Sequence, residues 1–282
     1  MKKDTIISNA SRISARRAKR PPGPHRQKTN GKGRNEIAAL ERATRLMLAL
    51  ADAVRPTPLS EAADRTRLSK ATAFRILSTL VDQGFVLQDE DTGSYRLGVA
   101  PLRLATAVLD GLPVCAAARQ PMRSVTDTLN ETTVLSVRDG DFRVNIDAVE
   151  CSNAISLSKR LGEPRPLYAG AVSRVHLAGM SDAELEAYLK RTKLPGTGSQ
   201  TAAADRLRAE VQRIRRTGFA SSLAEISPDS YAVATAIRDT EGRIVASLHV
   251  AIPRGRFSPA VERKCRRALA EAVRRIEDAI RA

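Results

Sequence analysis

Residues 68–86 read LSKATAFRILSTLVDQGFV, and this stretch decides the fold. Ser69 is a residue that caps helices, because its hydroxyl can accept from a backbone N–H that has no partner in the first turn. Ala73, Ile76, Leu77 and Leu80 then follow at helical spacing and form one apolar stripe. Gly84 stands where the helix must end, since glycine takes the left-handed C-terminal position without strain. The spacing predicts a helix over 69–83. Opposite the stripe lie Ala71, Arg75 and Ser78, flanked by Thr72 and Phe74, with Lys70 in the first turn. Short and basic side chains on the leading turns of a helix are what base readout in a major groove requires. The same spacing also suits an amphipathic surface helix of any globular domain, so the neighbours must decide.

Upstream, Ile37, Leu40, Ala43, Met47, Leu50 and Val54 recur at helical spacing over residues 36–54. Pro56 and Pro58 end that helix, and Leu59 to Thr66 gives a second. Downstream, Phe85-Val86-Leu87-Gln88 and Ser94-Tyr95-Arg96-Leu97 flank Asp89-Glu90-Asp91-Thr92-Gly93. Two β-type runs around an Asp/Gly-rich turn make a hairpin. Three helices and a hairpin in this order form a winged helix-turn-helix. Here, and on through Tyr95-Arg96-Leu97-Gly98, the chain resembles the IclR family of bacterial transcriptional regulators, over about residues 36–282.

The charge of +16 over 282 residues is unevenly placed. Residues 1–34 carry eleven Lys/Arg against one acid, Asp4, among Pro, Gly, Ser and Asn. Such a segment cannot bury enough apolar surface to offset its ordering entropy, so a disordered basic tail is expected. It suits phosphate binding, and equally a solubilising extension or a start codon placed too early. The expected winged domain, 35–98, holds eight Lys/Arg against nine acids, and its wing tip is acidic. Cys115, Cys151 and Cys265 show no CxxC spacing, which leaves reduced buried thiols and no zinc site or disulfide framework. No apolar run reaches membrane-spanning length and the basic N-terminus has no apolar signal core, so a cytoplasmic protein without membrane contact is expected.

Pro101 opens an apolar helix ending near Gly111, placed to link two domains over 99–112, and a second helix runs over 113–129 with Pro121 as a kink or restart. Period-two patterning then predicts a hairpin from 134–137 and 142–147, and a strand over 154–158. Helices follow at 170–179, 181–191 and 203–217, strands at 219–224, 231–238 and 243–252, and a basic helix at 258–281. Mixed strands and helices with antiparallel hairpins indicate an α+β domain over 113–282. Arg165-Pro166-Leu167-Tyr168-Ala169, Gly218-Phe219-Ala220 and 232–239 (AVATAIRD) resemble the family's GAF-like effector-binding domain. Where the family's pocket falls, this chain offers Ala171, Val172, Ser222, Ser230, Ala232, His249 and Ala251. It departs from the family in Gly170-Ala171-Val172-Ser173-Arg174, in retaining only Glu225 after Ser221-Ser222-Leu223-Ala224, and in His249.

Only three histidines occur: His25, His176 and His249. No HExxH, GxSxG, P-loop or metal-ligand spacing accompanies them, so the sequence nominates no catalytic residue, metal site or cofactor. The expectation is a regulator that binds double-stranded DNA at a pseudopalindromic operator. Its expected ligand is a small metabolite such as an organic or aromatic acid, and its expected assembly a homodimer or a dimer of dimers. Two other classes stay open: a non-specific nucleic-acid binder driven by the tail, and a metabolic enzyme with a winged appendage.

Overall fold

A computed structural model describes residues 37–153, 161–195 and 199–281 of the protein. The expected tail (1–34) and the expected strand at 154–158 lie outside the described residues.

Helices α1 (Ala38–Ala51), α2 (Leu59–Thr66) and α3 (Lys70–Asp82) pack around Leu46, Leu50, Ala62, Ala63, Ala73, Leu77 and Leu80. The hairpin β1 (Val86–Gln88) and β2 (Tyr95–Leu97) closes this core with Val86 and Tyr95. Thr57 exchanges two backbone hydrogen bonds of 2.8 Å with Tyr95, which adds a rung between Pro56 and Pro58. The inward stripe of α1 differs from the expected one. Leu46 and Leu50 are buried, with Met47 half-buried, while Ile37, Leu40 and Val54 are exposed. With apolar residues on several faces of α1, spacing alone did not fix which face turns inward.

Beyond the hairpin come α4 (Ala100–Asp110) and α5 (Pro113–Leu129). Pro121 neither restarts nor breaks α5, which runs through it with Pro121 buried. The second core forms on a six-stranded antiparallel sheet of order β5-β4-β3-β8-β7-β6. Its strands are β3 (Thr132–Asp139), β4 (Phe142–Val149), β5 (Pro164–Pro166), β6 (Phe219–Leu223), β7 (Ser230–Arg238) and β8 (Ile244–Pro253). Three helices, α6 (Gly170–Ala178), α7 (Asp182–Arg191) and α8 (Gln200–Thr217), separate β5 from β6, and α9 (Pro259–Arg281) ends the chain. Edge strand β5 was not foreseen: two prolines in three residues argue against a strand, yet an edge tolerates them.

The two faces of this sheet differ in chemistry. Toward α5 and α9 the central strands send Leu135, Val233, Ile237, Ala246, Leu248, Val250 and Ile252, packed with Met122, Cys265 and Leu269. Truncating one of these buried leucines to alanine would cost about 2–5 kcal/mol. Successive side chains alternate across a strand, so the other face takes Ser230, Ala232, Ala234 and Ala236 of β7 and Ser247, His249 and Ala251 of β8. Small and polar residues there let α6 lie close, and every residue of α6 is buried. Of the cysteines only Cys265 is buried; Cys115 and Cys151 are half-buried, and all three are free thiols.

Candidate functional site

Two sites take shape, one in each half. The first is the exposed side of α3. Ser69 caps the helix, its Oγ accepting the Thr72 N–H at 3.2 Å and lying 2.8 Å from Thr72 Oγ1. Gly84, at φ +71°, ends it: its N–H reaches the Val81 carbonyl, and the Phe85 N–H reaches that of Leu80. Ser69, Lys70, Ala71, Phe74 and Arg75 are exposed, while Thr72 and Ser78 are half-buried at the flanks. Among the described residues, neither Lys70 nor Arg75 has an ion-pair partner, so both charges are available. At the wing tip the Thr92 hydroxyl and backbone N–H hold the Asp89 carboxyl below its usual range. That tip is anionic and does not favour a phosphate.

The second site lies under α6. Six of the seven expected pocket residues, Ala171, Val172, Ser222, Ser230, Ala232 and His249, line one interior cavity, together with Arg143, Ala169, Gly170, Ile226 and Tyr231. Ala251 is not among them. It is buried mid-sheet, in register between Thr132 and Ala232. The cavity measures about 30 Å³, room for a water or two, whereas ligand sites run to about 300–1,000 Å³. It is closed by the loop joining β6 to β7. Ile226 packs over Gly170, where an added Cβ would meet its Cγ1 at 3.1 Å. Glu225 takes a two-pronged hydrogen bond from Arg174 at 2.7 and 2.8 Å. Larger hollows, about 460 Å³ between α5 and α9 and about 460 Å³ between α1 and α3, are open surface grooves. A further groove of about 370 Å³ is lined in part by Glu225 of the closing loop and its partner Arg174 of α6, and lies beside Tyr168.

Both hydroxyls expected to face a ligand are engaged within the chain. Ser222 Oγ accepts the Ala171 N–H at 3.1 Å and so caps α6, whose N-cap residue Ala169 has no side-chain acceptor. The Ser230 hydroxyl donates to the Ser227 carbonyl at 2.9 Å. His249 is buried on β8, in register with Ala234 and Val134. Deeper on the same side, Ser247 Oγ lies 2.9 Å from His176 Nε2. Burial, reinforced by the nearby positive charge of Arg143 and Arg138, pushes the His176 imidazole down to about 3, so it is neutral. His176 is therefore a packed core residue.

Sequence reading did not place Arg143, Ala169, Gly170, Ile226 or Tyr231 at the pocket, and Arg143 is the most consequential of them. On β4, Arg143 and Asn145 alternate with Val144 and Ile146, a pattern that ordinarily puts the polar residues in water. Here they are buried under α6. The Arg143 Nε donates to Ser173 Oγ at 3.2 Å, and Nη1 donates to Asn145 Oδ1, which also accepts the Ser136 hydroxyl at 2.9 Å. Burial, then the like charge of Arg165, lowers Arg143 to about 10, so it stays cationic at neutral pH.

A winged helix-turn-helix with a free reading face, joined to an α+β domain that encloses a polar-lined cavity, defines a ligand-responsive DNA-binding regulator. Comparison with known proteins agrees. The IclR helix-turn-helix domain matches residues 39–90, and the bacterial transcriptional regulator IclR C-terminal domain matches residues 106–278. The chain belongs to the IclR family of transcriptional regulators. It is 29% identical over 201 residues to the HTH-type transcriptional regulator KipR of Bacillus subtilis, covering 71% of this chain and 80% of that one. The Thermotoga maritima IclR structure superposes with a TM-score of 0.70 at 25% identity, over 87% of this chain and 99% of that one. An IclR homologue of Microbacterium hydrocarbonoxydans complexed with 4-hydroxybenzoate shares the fold, with a TM-score of 0.72 at 23% identity over 86% of this chain and 99% of that one.

Proposed function

We propose that α3 reads a pseudopalindromic operator in double-stranded DNA, and that a small organic or aromatic acid bound under α6 changes the affinity for it. On this reading Ser69, Lys70, Ala71, Thr72, Phe74, Arg75 and Ser78 form the DNA contact. Ala171, Val172, Ser222, Ser230, Ala232 and His249 surround the effector, with Ala251 supporting them from the sheet. The carrying observation is the interior cavity itself. Interiors are packed closely and leave few voids, yet here small side chains, a buried imidazole and a helix N-terminus meet around one. A ligand enters by displacing Ile226 and the Arg174–Glu225 pair, from the side of the groove beside Tyr168.

The working form is a homodimer or a pair of dimers. Helix α4 buries none of its residues within the chain and exposes Leu102, Leu104 and Val108, with Val99 exposed just before it, an apolar surface that a second copy would cover. Residues 35–98, 99–112 and 113–282 then serve as reading head, linker and effector domain. The tail, residues 1–34, adds sequence-independent attraction to phosphates in the cytoplasm. The chain acts as a regulator rather than an enzyme: its relatives are regulators, and His176, one of two buried histidines, is committed to packing.

His249→Phe tests the pocket. With operator DNA and a panel of small carboxylic acids, the variant should keep effector-free operator binding and lose the response. A variant that responds at the same acid concentration would move the effector site elsewhere.

A further inference from the structure

Arg143 poses a question that DNA reading leaves unanswered. A guanidinium offers five N–H donors and a full charge, and burying one without a counter-charge is expensive. The residue is 6% exposed, and the acceptors its side chain has, Ser173 Oγ and Asn145 Oδ1, are neutral. Among the described residues no carboxylate lies within ion-pair distance of it. Glu163, whose charge it feels, is paired with Arg165 at 3.2 Å. The sequence over 154–160, AISLSKR, carries no acid to supply one. Among the described residues the charge is therefore held in the interior by neutral groups, with one side on the cavity under α6.

That cavity is also where the N-terminus of α6 ends, a nine-residue helix whose first-turn amides carry partial positive charge. Ala169 supplies no side-chain acceptor, and Ser222 takes only the Ala171 N–H. Two independent sources of positive potential, one a full charge from β4 and one a helix end, thus meet at a single void. The apolar part of the wall includes Ala171, Val172, Ala232 and Ile226, which suits a short apolar body. A guanidinium's planar fork matches a carboxylate's two oxygens.

We propose that Arg143 is the anion-recognising residue of this cavity, so that the effector is a carboxylate whose charge completes an ion pair the folded chain leaves open. The proposal rests on the effector reading given above and adds to it which residue sets the chemical class. Arg143 then supplies the charge, and His249 shapes the wall and orients the ligand's polar group.

The test uses the full-length protein and calorimetric titration with propionate, benzoate and 4-hydroxybenzoate, each beside its neutral amide. Arg143→Met removes the charge and keeps most of the volume, Arg143→Lys keeps the charge, and Ala232→Phe fills the cavity. Wild type should bind at least one acid tenfold or more tightly than its amide. Arg143→Met should bring acid and amide together, Arg143→Lys should restore part of the preference, and Ala232→Phe should abolish both. Because removing an unpaired buried charge does not cost stability the way a cavity does, Arg143→Met should melt no lower than wild type without ligand; a melt well below it, with Arg143→Lys unaffected, would make Arg143 a structural cation and overturn the proposal. An acid preference that survives Arg143→Met but not Ala232→Phe would overturn it as well, while leaving the cavity as the effector site. A preference that survives Ala232→Phe too would show that the acid binds elsewhere, and the effector reading would fall with it.

Discussion

Arg75 lies on the exposed face of α3, nearly two turns beyond the Ser69 cap and without an ion-pair partner among the described residues. If it donates to a guanine edge, Arg75→Ala should weaken operator binding by roughly 1–3 kcal/mol and relax preference at one base position. Fluorescence anisotropy on a set of single-base operator variants reads both; equal affinity across the set, with folding intact, would remove Arg75 from the contact. His176 makes a different prediction, about stability. Held down to about 3 in the folded chain, against an ordinary value of 6.5, it takes no proton where the unfolded chain does. Its contribution is intact above about pH 6.5 and is lost as pH falls from there toward about 3, at most about 1.4 kcal/mol per pH unit. Urea unfolding at pH 6.5 and 5.0 should therefore show a larger loss for wild type than for His176→Gln. An identical loss would mean that other groups carry the acid sensitivity. Arg143 and His176 also mark the limit of single-residue inference. A polar residue in an alternating strand or a lone histidine on a helix looks the same in sequence whether it meets water or a neighbour across the fold.

Among the elements, those whose ends are set by local chemistry were legible in advance. Helix α2 begins and ends where the prolines and Thr66 place it, α3 lies between Ser69 and Gly84, and α7 starts at the Ser181–Glu184 capping box. Elements set by tertiary contact were not. The inward face of α1 is chosen by α2 and α3, and β5 exists because β4 offers an edge for Pro164 and Pro166 to follow, in register with Val144 and Phe142. Helix α8 begins three residues before its expected start because Ser199 caps it, its Oγ accepting the Ala202 N–H at 3.1 Å. Helix α4 is the element whose sequence and surroundings disagree most, apolar in composition yet unburied in the single chain. The double variant Leu104→Asp/Val108→Asp should therefore leave each core folded while converting dimers to monomers in sedimentation, and should weaken operator binding because both half-sites can no longer be held at once. A variant that sediments as wild type would place the dimer contact elsewhere.

At the scale of the whole molecule, the two cores and the two sites are joined through α4 and α5, and regulation requires that occupancy of one site change affinity at the other. The candidate DNA face was almost wholly legible in the sequence, because a reading helix is a local pattern: residues 69–84 carry its cap, stripe, face and stop. The candidate effector site was legible only as positions, six of which line one cavity. Its charge was not, because Arg143 reaches the void from β4, across the sheet from His249 and far from it in sequence. The closing loop was also invisible, since Glu225 and Ile226 gain their roles only by meeting Arg174 and Gly170. If this cavity is the effector site, its volume of only about 30 Å³ requires ligand binding to reorganise this loop, and that movement would give the effector a means of favouring one arrangement of the reading heads. Linkage fixes the size of the effect in both directions: if acid changes operator affinity by a given factor, operator must change acid affinity by the same factor. The most direct measurement is accordingly a pair of titrations on the same full-length protein, operator affinity with and without saturating acid and acid affinity with and without saturating operator. The account predicts equal factors of roughly 5–150 in both, as coupling of about 1–3 kcal/mol gives; operator affinity unchanged by an acid that demonstrably binds would contradict it.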